Sequence, residues 1–190
     1  MRRILFLVLV GVLVAGTQSG AQAGGHEAKV KAYLDQNVVS WLASEELLTA
    51  VYQQNLDHKG LTSADISVLD QRWRAERSVG GGSLVSSKMS GDLAAFLRGI
   101  KAASGGVITE IFVMDDKGLN VAQTDPTGDY MQGDEAKWQK TFGVGPGAIL
   151  IDAVEEDGGL NVSQASLTIS RDNGFTLGAV TIGINVDALK

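Results

Sequence analysis

Between residues 26 and 57, apolar side chains recur at three- and four-residue spacing: Val30, Leu34, Val38, Trp41, Leu42, Leu48, Val51 and Tyr52. No Pro or Gly interrupts the run, so the pattern predicts one long amphipathic helix. At 1.5 Å per residue that helix is roughly 45 Å long. This exceeds the diameter of a small domain, so part of the stripe is expected to project or to meet another chain. The alternative is a helix lying along one side of its own domain. Gly60 ends this helix, and a second start signal follows. Thr62 with Asp65 forms a capping pair, and Leu61 with Ile66 a hydrophobic staple, for a helix running through Leu69 and Trp73 to about Arg77. Val79-Gly80-Gly81-Gly82-Ser83 reads as a flexible connection or a loop over the domain. A third helix is predicted from about Ser90, with Leu93, Phe96, Leu97 and Ile100 facing the core and Gly105-Gly106 closing it.

After Gly106 the period changes to that of strands. Val107–Met114, Leu119–Gln123, Ala148–Val154, Leu160–Ser170 and Phe175–Val186 are apolar, β-branched runs. Asp115-Asp116-Lys117-Gly118, Asp157-Gly158-Gly159 and Asp172-Asn173-Gly174 join them as turns, and such short connections force antiparallel neighbours. The pattern therefore predicts an α+β fold: a long N-terminal helix and two shorter helices, then one five-stranded antiparallel sheet. In Leu160–Ser170 the apolar set moves from even positions (Leu160, Val162) to odd ones (Leu167, Ile169). Phe175–Val186 does the reverse, from Phe175 and Leu177 to Val180, Ile182, Ile184 and Val186. A change of parity needs a bulge or bend, or burial on both faces. One reading has these strands curving around a pocket with Gln164 near the transition; the other is two-sided burial in mid-sheet.

Composition adds a compartment. Arg2 and Arg3, the apolar run Ile4 to Ala15 and the A-x-A site Ala21-Gln22-Ala23 form an export signal, so residues 1–23 are expected to be removed. The apolar run is 12 residues long, whereas a membrane span needs about 20. Of the 190 residues, 16 are basic and 22 acidic; without Arg2 and Arg3 the balance is 14 to 22, a net charge of −8. That acidity argues against nucleic acid and against an anionic membrane surface as partners. The chain has no cysteine, which excludes thiol catalysis, lipoprotein acylation, c-type haem attachment and cysteine-based zinc sites.

The most informative stretch is Asp129-Tyr130-Met131-Gln132-Gly133-Asp134-Glu135-Ala136-Lys137-Trp138, a connection between strands dense in charge and aromatic surface. Together with Ile111-Phe112-Val113-Met114-Asp115-Asp116-Lys117-Gly118-Leu119-Asn120-Val121-Ala122, it resembles the Cache-like PDC family of bacterial extracellular sensor domains. The resemblance spans roughly residues 61–186. It implies a PAS-like antiparallel sheet preceded by a long helix, and a small molecule bound outside the cytoplasm between the sheet and its covering loops and helices. The expected organisation is a signal peptide (1–23), a long helix (24–60) and a sensor domain (61–190).

Within that frame Trp73, Arg74, Tyr130, Trp138, Lys140 and Gln164 are the candidate ligand-binding residues. An Arg beside an inward-facing Trp suits a carboxylate, because its fork presents paired donors. The competing reading makes Trp73 core, Arg72 and Arg74 surface charges, and Tyr130 and Trp138 packing of a lid. Asp125, Asp129, Asp134 and Glu135 have the chemistry of a hard-cation site but not the spacing of a calcium loop. His58 reads as a solvated helix-end residue, Gly143-Val144-Gly145-Pro146-Gly147 as a turn, and no motif calls for a cofactor or a catalytic group. The chain ends just after the last strand, which predicts that any signal passes by contact to a separate membrane receptor. The expectation is an exported, non-catalytic, sensor-like domain for a small organic ligand. The alternatives are an interaction or dimerisation module pairing through residues 26–57, and a calcium-binding or enzymatic protein.

Overall fold

The computed structural model describes residues 23–190, so the predicted leader lies outside the described residues except for Ala23, which opens the first helix. The single long helix expected over 26–57 is three: α1 (Ala23–Asn37), the one-turn α2 (Val39–Leu42) and α3 (Glu45–Asp57). The break comes from Ser44. Its backbone is extended and its hydroxyl accepts the Leu47 N–H, while Glu45 and Glu46 occupy the next turn. A Ser followed by carboxylates is a helix-start signal, and here it outweighs the continuous periodicity. The consequence is large. Val30, Leu34, Val38, Trp41, Leu47 and Val51 all turn into this chain's own core. Most of the stripe on which pairing of two copies through residues 26–57 rested is therefore consumed internally, while Tyr52 stays exposed.

His58 caps α3 but is not solvated: its side chain is 16% exposed, with Nδ1 2.7 Å from a buried Asp115 oxygen. Helix α4 (Ser63–Ser78) starts at the expected capping box, Thr62 and Asp65 each bonding the other's backbone. The glycine-rich connection after it is short, because α5 (Ser83–Met89) forms in the stretch before Ser90, for which no element was predicted. Helix α6 (Asp92–Ala103) follows the predicted face, burying Leu93 and Leu97.

The sheet has six strands: β1 (Ile108–Met114), β2 (Asn120–Gln123), β3 (Ile149–Ile151), β4 (Glu155–Asp157), β5 (Leu160–Ser170) and β6 (Thr176–Asn185). The run Ala148–Val154 supplies only three strand residues, and the unexpected β4 pairs with β5 beside it. All pairs are antiparallel, in the order β2-β1-β6-β5-β3. The two parity changes have different causes. In β6 an irregularity opposite Ile169 and Ser170 absorbs the extra residue Leu177. In β5 the pairing runs unbroken past Gln164, and the strand is buried on both faces. No irregularity in the β5–β6 pairing stands at Gln164.

Alternate residues divide the sheet into two faces. Ile111, Val113, Leu167, Val180 and Ile182 meet the helices α1, α3 and α6 in the main core. Phe112, Met114 and Ala179 face the other way, under Trp138 of α7 (Ala136–Gln139) and Phe142. Residues 124–148 thus form a lid over that second face. Among the described residues no helix is long and apolar enough to cross a membrane.

Candidate functional site

The lid is held by side chains that grip its backbone. Asp70 on α4 accepts the N–H groups of Tyr130 (2.8 Å) and Met131 (3.2 Å), and its other oxygen accepts Nε–H of Arg74 at 2.8 Å. Arg74 then reaches Asp129 at 3.1 Å. Burial pushes the Asp70 carboxyl up, but the Arg74 bond, the two N–H groups and the Arg74 charge outweigh it and hold the pKa below its usual value. Tyr130 is 1% exposed and stacks on Trp73 at 5.5 Å between ring centroids. The Trp73 indole donates to the Thr127 carbonyl at 3.0 Å. Gly118 has φ +76° and packs directly on Gly133, so the β1–β2 turn and the lid meet backbone to backbone where no side chain fits.

Beneath the lid the second sheet face is mixed in character. Lys137 Nζ lies 5.3 Å from the Phe112 ring centroid and 2.8 Å from Glu135. Only 15% of the Lys137 side chain is exposed. Gln132 bonds the Asp129 side chain and lies 3.5 Å from Lys137. Burial first, and then the neighbouring Glu135 charge, push the Asp129 carboxyl above its ordinary value against the pull of Arg74. Gln123, the cross-strand partner of Phe112, is fully buried; its Oε1 accepts from Thr127, while its Nε2 finds no partner among the described residues. Ser166 and Thr181 share a hydrogen bond at 2.9 Å on the same face. Buried polar atoms are rarely left unpaired, and the Gln123 amide nitrogen is one of six such side-chain atoms among the described residues.

The sequence-predicted residues divide sharply. Trp73, Arg74 and Tyr130 come together, but as a clamp: Trp73 and Tyr130 are filled core, and Arg74, with 58% of its side chain exposed, lies on the outside of the lid. Arg74 lines neither of the two clefts described below. Trp138 is half-buried, stacked on Phe142 at 4.8 Å, and its indole donates to the Asp115 carbonyl at 3.1 Å. It also borders a cleft of about 530 Å³ between α4 and the lid, shared with Ile66, Asp70, Lys117, Met131 and Asp134. The Lys140 side chain is exposed and makes no hydrogen bond or ion pair among the described residues. Gln164 lies apart, bonded to Glu110 at 2.8 Å in an acidic cleft of about 390 Å³ with Asp152, Glu155 and Asp157. Three of the four carboxylates considered for calcium disperse into ion pairs, Asp125 to Lys101, Asp129 to Arg74 and Glu135 to Lys137. Lys137, Gln132 and Gln123 were missed as candidates. The first two lie inside the stretch singled out in the sequence; Gln123 looked like an ordinary strand end.

No family model matches the chain, and none of the curated proteins matches it. Solved structures do. The sensor domain of the V. cholerae histidine kinase DctB aligns with 86% of this chain at 13% identity and a TM-score of 0.41. The E. coli DcuS sensor domain aligns with 86% at 13% identity and a TM-score of 0.46. The ligand-binding domain of the Pseudomonas aeruginosa PAO1 amino-acid chemoreceptor PctC, in complex with GABA, aligns with 86% at 13% identity and a TM-score of 0.42. The chain spans 93% of the DcuS domain, but only 53% of the DctB and 58% of the PctC domains.

Proposed function

We propose that this chain is an exported, periplasmic sensor-like domain that binds a small organic acid on the lid-covered face of its sheet and carries out no chemistry. The observation that supports it is the group around Phe112: the half-buried Lys137 ammonium over its ring and the unpartnered amide of its cross-strand neighbour Gln123. A carboxylate suits each chemically, since it accepts both from a cation and from an amide. Glu135 is the protein carboxylate such a ligand would exchange with on Lys137. Arg74 acts from outside, by holding the lid through Asp70 and Asp129. Signalling then proceeds by contact with a separate membrane receptor. The second reading, an interaction module, draws on the filled Trp73–Tyr130 core and on Tyr52 and Leu56 exposed along α3.

The test is a thermal-shift and calorimetric screen of the mature chain against mono- and dicarboxylates, amino acids and divalent cations. A binder at one hundred times its Kd stabilises the fold by about 2.7 kcal/mol. Lys137→Ala is expected to abolish that gain while the ligand-free protein stays folded. Undiminished binding by Lys137→Ala moves the site elsewhere, and silence from every acid in the screen removes the reading.

A further inference from the structure

Helix α3 buries Leu47, Val51 and Gln54 and presents a second face to solvent. At about 100° per residue, Glu45, Leu48, Tyr52, Leu56 and Lys59 all fall within about 40° of the Tyr52 direction. Lys59 lies just past the helix end, but its N–H still bonds the Leu56 carbonyl at 3.3 Å and continues the turn. Tyr52 is 41% exposed and Leu56 49%, and Leu48 is half-buried. The β5–β6 hairpin extends this apolar surface. Phe175 is 59% exposed, and Arg171, bonded to its backbone, sets a guanidinium 4.6 Å from the Tyr52 ring centroid. Asn55 fixes the helix beneath: its Nδ2 donates to the Leu177 carbonyl at 2.8 Å, and its Oδ1 accepts the Asp116 N–H at 2.9 Å.

The order of residues on this face is its own complement. Glu45 stands seven residues before Tyr52 and Lys59 seven after it; Leu48 stands four before and Leu56 four after. A two-fold axis through Tyr52 therefore sets Glu45 against Lys59 of a second copy, Leu48 against Leu56, and Tyr52 against itself. Such pairing of a patch with its own copy is what a two-fold interface requires. The Glu45 and Lys59 side chains are exposed and make no hydrogen bond or ion pair among the described residues. We propose that the chain forms a two-fold dimer through the outer face of α3, the two helices antiparallel and crossing at Tyr52. This gives the interaction reading above its partner. It asks nothing of the ligand reading, whose residues lie on the other face of the sheet, so either can fail alone. The apolar contact is one helix face and a hairpin edge, and two acidic chains repel, so the dimer is a dissociable one with a Kd on the order of 10 μM.

Sedimentation velocity of the mature chain over a roughly hundredfold concentration range around 10 μM is expected to show monomer passing to dimer. Glu45→Lys and Lys59→Glu each set like charges against one another twice across the axis, and each is expected to weaken the dimer about tenfold or more. The double variant exchanges the partners at unchanged net charge and is expected to restore it. General repulsion between acidic chains predicts the opposite for Glu45→Lys, which would then associate better. The chain has no cysteine, so Tyr52→Cys places a single thiol at the axis. Mild oxidation is expected to convert that variant to a covalent dimer, whereas Val68→Cys, at an exposed position of α4, is expected to stay monomeric. A monomer at every concentration hands the face to a different protein and overturns the proposal. So does a dimer indifferent to a single swap, a double variant that does not recover, or equal cross-linking at positions 52 and 68. Should one swap fail to fold, the other swap and the two cysteine variants still decide.

Discussion

The two faces of the sheet are built on different physics. On the helix side, Val30, Leu34, Val51, Leu97, Ile111, Val180 and Ile182 pack in one large apolar core, with the Gln54, Asn55 and His58 bonds of α3 at its edge. On the lid side the apolar cluster is small, and position is set by individual hydrogen bonds from side chain to backbone: Asp70 to Tyr130 and Met131, Trp138 to Asp115, Trp73 to Thr127. A face stabilised by area tolerates small shifts and loses energy in proportion to volume removed. A face held by a few bonds opens locally when one of them goes, with the rest of the fold intact. Helix packing holds one face by area, and individual bonds hold the lid over the other.

The largest expected effect is on the helix side. Leu97→Ala should cost about 2–5 kcal/mol, read as a lower denaturant midpoint with the lid amides keeping their relative protection. Loss of lid protection ahead of global unfolding would erase the distinction between the faces. Gly118→Ala comes next. Its φ of +76° and its collision with the Gly133 backbone should cost about 1–3 kcal/mol, with hydrogen exchange rising first at residues 131–133. Asp70→Ala should strand two lid N–H groups and speed exchange at Tyr130 and Met131, at up to about 1–3 kcal/mol, reduced by the carboxylate's partial exposure.

Acid sharpens the same contrast. The Asp70 pKa is lowered in the folded state, so its contribution is present above the ordinary carboxylate value near 3.9 and fades as pH falls through the lowered one. Met131 exchange, corrected for its intrinsic rate, should therefore increase below about pH 4 in the wild type and show no such step in Asp70→Ala. The smallest effect belongs to Lys140→Ala, within about 0.5 kcal/mol and with no change in ligand affinity. A strong loss of binding there would return Lys140 to the site.

Much of the architecture was legible because periodicity and turn chemistry are local. The capping box at Thr62 and Asp65, the α6 face and the Gly-containing hairpins all formed where their residues predicted. The long helix was misread because eight apolar positions in phase outweighed one Ser-Glu-Glu start signal at Ser44. Helix α5 was hidden behind three glycines. The loop at 129–138 was rightly singled out, yet Arg74 was given an inward role when its partners, Asp70 and Asp129, hold it outside.

By itself, then, the amino-acid order determined helices before strands, an antiparallel sheet, an acidic cysteine-free chain and the segment that covers the sheet. Each follows from spacing, sign or residue type within a few positions. Only the tertiary structure decided that Asp70 grips Tyr130 sixty residues away, that Lys137 lies over Phe112, and that Asp115 joins His58 to Trp138. A buried polar group must take whatever partner the packed chain brings within about 3 Å, and that partner is chosen by how helices and strands stack, which no local pattern encodes.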